Sequence, residues 1–308
     1  MRRFSVLGDS ISTFEGCNPE GFRVYYEGAR RQATGVLSPA DTWWAQVIDQ
    51  CGGMPLRNGS FSGSMVEGAG FPAANSQQRI EALAKESVLP DAILVFIGIN
   101  DYGWGGADAQ MAGRGNALPQ NLEVSSVPER TAGVAPVNTT EGFAVAYSAM
   151  LKRICAAYPQ AEVWCCTLCP GRVAGSDHST FTYRLRGIHF DSYNEAIRVA
   201  ARQNGCLIAD VRALGCDYEA VDGTHPTKRG MQQLAQMVLR AMEIERQGSR
   251  TCGEQDKAAV KADRYAGAPQ SVETCDKLTC VGCSRAASTG NAWLLVCEEE
   301  GQRVPCCR

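Results

Sequence analysis

The chain has 308 residues, 44% of them hydrophobic and 20% charged, which allows one large α/β domain with a small appendage, or two modest domains. Its formal net charge of -3 argues against a nucleic-acid binder, which would carry a basic excess. No segment approaches the ~20 uninterrupted apolar residues that a membrane-spanning helix needs, and Met1-Arg2-Arg3 leads into a strand-like run without a signal-peptide core, which implies a cytoplasmic protein. In that compartment the 15 cysteines read as thiols or metal ligands rather than disulfides.

The first apolar run, Phe4 to Leu7, reads as a strand and is followed directly by Gly8-Asp9-Ser10. A weaker strand near Leu56 leads into the small-residue loop Asn58-Gly59-Ser60-Phe61-Ser62-Gly63-Ser64. Ile80, Leu83 and Ala84 suggest an amphipathic helix, and Ala92 to Ile97 is the most apolar strand, closed by Gly98-Ile99-Asn100-Asp101. Residues 103–137, rich in Gly, Ala, Asn and Pro and without periodicity, read as a long insertion suited to a lid or pocket wall. Phe143, Tyr147, Met150, Leu151 and Ile154 line one face of a second helix, and strands are expected over Val163 to Leu168 and Leu207 to Val211. Asp222-Gly223-Thr224-His225-Pro226 then precedes a closing helix over 228–245, for which Thr227 is a suitable N-cap. Strands alternating with helices predict a three-layer α/β/α domain with a mostly parallel sheet. Ligands of such sheets bind beyond the carboxyl ends of the strands, where these motifs fall.

Each motif alone is an ordinary turn. A small residue before Ser10 lets the chain turn and present a hydroxyl at the sheet edge. Gly63 lets its backbone N–H approach a substrate oxygen. The amide of Asn100 can aim N–H groups at a developing oxyanion. Asp222 and His225, three apart, can share one turn, the carboxylate holding Nδ1–H while Nε2 faces the serine. As a set, Gly8-Asp9-Ser10, Gly63, Gly98-Ile99-Asn100-Asp101 and Asp222-Gly223-Thr224-His225 resemble the four signature blocks of the SGNH (GDSL-like) hydrolase superfamily, over roughly residues 1 to 246. Ile11 stands where the GDSL name expects Leu.

The resemblance implies a flavodoxin-like sheet and hydrolysis of a carboxylic ester. Ser10 would be the nucleophile, His225 the base and Asp222 its orienting carboxylate, with an oxyanion hole built from the N–H of Ser10, the N–H of Gly63 and the Asn100 amide. This chemistry needs no metal. Of the three histidines, His178 and His189 lack a carboxylate three residues upstream. Asp9 and Asp101 are read as loop ties and Trp43-Trp44 as core. Tyr102 and Trp104 could form an aromatic wall, with Trp104 the candidate substrate contact. Short acyl esters of carbohydrates or other small molecules are the expected substrates, with no nucleic-acid partner.

Past about residue 247 the composition changes, so the domains are read as 1–246 and a 247–308 linker and tail holding seven cysteines. Cys275-x4-Cys280-x2-Cys283, with Cys297, Cys306 and Cys307, suits a structural zinc site. The same spacing also matches plant-type iron–sulfur ligation, and loose thiols are the plain reading. The competing functional reading makes this tail the working part, a metal or iron–sulfur binder with the α/β domain as scaffold. Cys165, Cys166 and Cys169 are read as small hydrophobes on or just past a buried strand.

Overall fold

The computed structural model describes residues 1–104, 140–176, 181–185, 187–263, 296–299 and 302–305, of which 104, 249–263 and the last two stretches are described as backbone alone. The chain forms two compact units, Met1–Glu254 and Gln255–Arg308.

The first unit is organised by five parallel strands: β1 (Arg2–Gly8), β2 (Gly53–Asn58), β3 (Ala92–Phe96), β4 (Glu162–Cys166) and, beyond two minor sheets, β8 (Leu207–Ala209). Their spatial order is β2-β1-β3-β4-β8. This is the doubly wound, flavodoxin-like order, whose switch point lies between β1 and β3. Every residue of β3 is buried, as expected for a continuous Ala-Ile-Leu-Val-Phe run covered by helices on both faces.

Seven helices accompany the strands among the described residues: α1 (Gly28–Thr34), α2 (Trp43–Gln50), α3 (Gln77–Glu81), α4 (Ile99–Trp104), α5 (Thr140–Ala157), α6 (Phe190–Gln203) and α7 (Lys228–Asp263). In α5 the buried Phe143, Ala146, Tyr147, Met150, Leu151 and Ile154 recur at spacings of three and four, the stripe a helix needs to cover a sheet. Each such large side chain removed from water contributes about 1.5–3 kcal/mol. Helix α7 starts where the Thr227 Oγ1 accepts the Gly230 N–H at 3.1 Å, so the expected cap is present.

The boundaries differ from the sequence reading in several places. The helix expected around Ile80 is only the short α3, although Ile80 and Leu83 are buried. Strand β4 stops at Cys166 because the Asn194 side chain takes the backbone of Leu168, accepting its N–H at 2.7 Å and donating to its C=O at 3.1 Å. Helix α6 has no counterpart in the sequence reading, and α7 runs past residue 245 to Asp263.

The minor strands are β5 (Gly171–Val173), β6 (Arg184–Leu185), β7 (Ile188–His189) and β9 (Tyr218–Ala220). Parallel pairing of β5 with β9 carries the chain towards residues 222–226. In the second unit, β10 (Val296–Glu299) and β11 (Gln302–Pro305) form an antiparallel pair with Cys297 opposite Val304. Cys275, Cys280, Cys283, Cys306 and Cys307, like residues 105–137 of the expected insertion, lie outside the described residues. The eight cysteines whose side chains are described are free. Cys165, Cys166 and Cys169 are buried, and burial pushes the Cys166 and Cys169 thiols far up, as suits apolar packing. No helix among the described residues is long and apolar enough to cross a membrane.

Candidate active site

Strand β1 ends at Gly8, where a Cβ would lie 2.5 Å from the Ser12 Oγ and 3.0 Å from the Phe96 carbonyl. Only glycine lets the chain turn this closely. Asp9 then caps a single 3-10 turn, Ser10–Ser12, its Oδ1 accepting the Ile11 N–H at 3.0 Å. The far end of the turn is braced by buried donors: Trp44 Nε1 (2.9 Å) and Asn58 Nδ2 (2.7 Å) to the Ser12 carbonyl, and Trp43 Nε1 to its hydroxyl at 3.2 Å. Trp43 and Trp44 are core residues, as expected, and they also fix this turn. The outcome is a Ser10 that is 4% exposed on a rigid support.

The second part is the 222–226 loop. The Val221 N–H donates to the His225 carbonyl at 3.0 Å, closing it tightly. Asp222 Oδ1 accepts the backbone N–H groups of Thr224 (3.0 Å) and His225 (2.8 Å). That leaves Oδ2 for the ring of His225, 2.6 Å from Nδ1, while Nε2 lies 2.9 Å from the Ser10 Oγ. Burial raises the Asp222 carboxyl, but the His225 ring and these N–H donors outweigh it and hold it below the usual range. Asp222 is therefore an anion at neutral pH, and it selects the tautomer with the proton on Nδ1. A hydroxyl aimed at the free Nε2 of such a histidine can be deprotonated as it attacks.

The third part comprises the 59–67 loop, which follows β2, and α4, which follows β3. Gly63 has φ +81°, a conformation that favours glycine. Asn100, 8% exposed, donates through Nδ2 to the Ser64 carbonyl at 2.9 Å. One amide hydrogen is thereby used, and the other has no partner among the described residues. Asp101 accepts the N–H groups of Val66 (2.9 Å) and Glu67 (3.1 Å), so both Asp9 and Asp101 tie loops as expected. Burial pushes Asp101 up to about 8 against those two bonds.

Arg79 joins these segments. Fully buried, it donates to the carbonyls of Gly8 (2.8 Å), Gly59 (2.9 Å) and Pro72 (2.6 Å) and to the Ser64 hydroxyl (2.9 Å). Burial brings its guanidinium down to about 9, opposed by the charge of Asp9. Asp9 is in turn pushed up to about 7 by burial, opposed by the Ile11 N–H and by Arg79. A single side chain thus ties the end of β1 to the loop that carries Gly63.

Sequence reasoning missed Arg79, and it also missed Tyr25, whose ring stacks on the His225 imidazole with centroids 3.5 Å apart and planes within 4°. Burial, with the nearby Asp222 charge, pushes the Tyr25 phenol up to about 12, opposed by Arg30, so the ring is a neutral face. Two aromatic expectations resolve differently. Tyr102 is buried, donating to the Thr182 carbonyl, and so forms no wall. Trp104 ends α4, and its side chain lies outside the described residues. His189 caps α6, accepting the Asp191 N–H at 3.2 Å. No group of three or more His, Cys, Asp or Glu side chains suited to a metal ion occurs among the described residues.

Residues 2–124 match the family of GDSL-like lipases/acylhydrolases. Among solved structures, a candidate GDSL-like lipase from Bacteroides uniformis is 23% identical, with a TM-score of 0.50, over 79% of this chain and 95% of its own. One from Bacteroides ovatus is 24% identical, with a TM-score of 0.48, over 79% and 98%. No curated protein matches the chain. The match over residues 2–124, together with the fold, supports a place for the chain in the SGNH hydrolase superfamily, whose GDSL-like members are carboxylic ester hydrolases.

Proposed function

We propose that the enzyme cleaves short-chain carboxylic esters, acetyl esters of carbohydrates or other small molecules among them, by a Ser-His-Asp mechanism. The observation that carries this reading is the continuous chain Ser10 Oγ–His225 Nε2 (2.9 Å) and His225 Nδ1–Asp222 Oδ2 (2.6 Å). Ser10 attacks the acyl carbonyl as His225 takes its proton. The imidazolium, stabilised by Asp222, delivers that proton to the leaving alcohol. Water, activated by the same histidine, then releases the acid. The Ser10 and Gly63 N–H groups and the second Asn100 amide hydrogen receive the oxyanion. The slight exposure of Ser10 and Asn100 supports a small acyl group.

The test is twofold. A fluorophosphonate should label the protein at Ser10, located by peptide mass spectrometry. Rates on p-nitrophenyl acetate, butyrate and octanoate should fall with chain length. An unlabelled protein inactive on all three esters would overturn the mechanism, and a rate that rises towards octanoate would overturn the short-acyl assignment.

Two residues give further expectations. Asn100→Ala should lower kcat by about 100- to 1,000-fold, the usual cost of one oxyanion donor. It also strips the Ser64 carbonyl of its donor, so thermal unfolding must be recorded alongside, and a kcat within threefold of wild type would remove Asn100 from this role. Tyr25 should act through His225, its π-face favouring the imidazolium by roughly 1 kcal/mol. Tyr25→Ala is therefore expected to cost about fivefold in kcat, whereas Tyr25→Phe keeps the stack and the rate.

A further inference from the structure

Residues 22–25 cross the site between its two halves. The Arg23 carbonyl accepts the Ser62 N–H at 2.9 Å, and the Tyr25 N–H donates to the Thr13 Oγ1 at 2.9 Å. The segment is thus pinned to the oxyanion loop at one end and beside the Ser10 turn at the other. Tyr25 covers His225, and the Arg23 guanidinium stands by Gly63: a Cβ built on that glycine would lie 3.9 Å from Arg23 Nη1.

Arg23 has an aromatic support but no anion. Its guanidinium lies 6.0 Å from the centroid of the Phe61 ring, which packs with Phe22 and Phe71 at 5.7 and 5.2 Å. It is exposed and forms no ion pair or side-chain hydrogen bond among the described residues. Arg30, 4.8 Å above the Tyr25 ring, is likewise exposed and without an ion pair among the described residues. Two guanidinium groups without an anionic partner among the described residues therefore border this segment, Arg23 by Gly63 and Arg30 over the Tyr25 ring, in a protein whose net charge is -3. Asp222, the carboxylate at the core of the site, is already engaged by His225. A neutral ester leaves both cations without a partner. An ester with its own negative charge a few atoms from the carbonyl would pair with Arg23 while its carbonyl oxygen meets the Gly63 N–H.

We propose that Arg23, assisted by Arg30, selects esters that carry an anionic group close to the scissile bond. This rests on the site described under the proposed function. Because the Arg23 side chain is exposed and its loop contact is made by the backbone carbonyl, Arg23→Gln should fold normally.

The experiment uses the full chain and two matched pairs: phenyl acetate against 4-acetoxybenzoate, with the charge on the leaving alcohol, and phenyl butyrate against monophenyl succinate, with the charge on the acyl group. Wild type should favour the anionic member of at least one pair. Arg23→Gln should cut that preference in kcat/KM about tenfold, chiefly through KM, and Arg23→Lys should keep most of it. The pair affected tells which side of the ester carries the charge. A preference unchanged in Arg23→Gln, or a wild type favouring the neutral member of both pairs, overturns the selectivity while leaving the esterase mechanism standing. Absence of turnover on all four esters, with no fluorophosphonate label, overturns the mechanism and the selectivity together.

Discussion

Ser10→Ala is expected to lower kcat on p-nitrophenyl acetate by about a million-fold without unfolding the protein. The expected loss is large because in the proposed mechanism the Ser10 hydroxyl is both the nucleophile and the group that His225 deprotonates, so the substitution removes both at once. The structural cost should be small. The Ser10 turn is held by the Asp9 cap, by Trp43, Trp44 and Asn58 on Ser12, and by Arg79 on the Gly8 carbonyl, none of which uses the Ser10 side chain. Its backbone N–H also survives, so that proposed oxyanion donor is kept. A residual rate about 1,000-fold above that of water should persist from binding and oxyanion stabilisation alone. Adding His225→Ala to Ser10→Ala should then change little further, because a base without its nucleophile contributes nothing. The measurement is steady-state hydrolysis with a thermal melt on each variant. A Ser10→Ala rate above about one-hundredth of wild type, with a wild-type melt, would take the nucleophile role away from Ser10.

The residues of this reaction were legible where their chemistry is set by the few residues around them. Gly8-Asp9-Ser10 follows β1, Gly98-Ile99-Asn100-Asp101 follows β3, and Asp222 reaches His225 within one tight loop. A parallel sheet brings strand ends to one edge, so recognising the strands was enough to predict convergence. The order β2-β1-β3-β4-β8 then puts Ser10 and Asn100 on either side of the switch point. Tyr25 and Arg79 left no such trace. Tyr25 meets a histidine 200 positions later in the chain, and Arg79 matters through carbonyls of Gly8, Gly59 and Pro72, groups every residue type possesses. Helix α6 escaped notice because its buried face includes Asn194, and Asp191, Glu195 and Arg198 interrupt the apolar residues. That polar residue is also what ends β4 early, through the Leu168 backbone. In both cases a buried side-chain amide replaced the pattern that hydrophobic periodicity reads.

Asp222→Asn should lower kcat by about 10,000-fold, the second largest loss expected here. The reason is the division of labour between the two carboxylate oxygens. Oδ1 accepts the N–H groups of Thr224 and His225 and so holds the loop, while Oδ2 accepts Nδ1–H of the ring at 2.6 Å. In asparagine only one of these positions can accept. The backbone donors are fixed by the loop, which closes through the Val221 N–H to the His225 carbonyl, so the amide oxygen should stay with them. Its NH2 group would then face Nδ1 and donate to it, which moves the ring proton to Nε2. That nitrogen, 2.9 Å from the Ser10 hydroxyl, could no longer accept a proton from it. Loop geometry and the Tyr25 stack should survive, so KM for p-nitrophenyl acetate should move by less than about threefold while kcat collapses. Raising the pH should recover part of the rate in the variant, because hydroxide can substitute for the disabled base. A kcat within about tenfold of wild type would mean that Asp222 serves the loop alone and that His225 finds its tautomer without it.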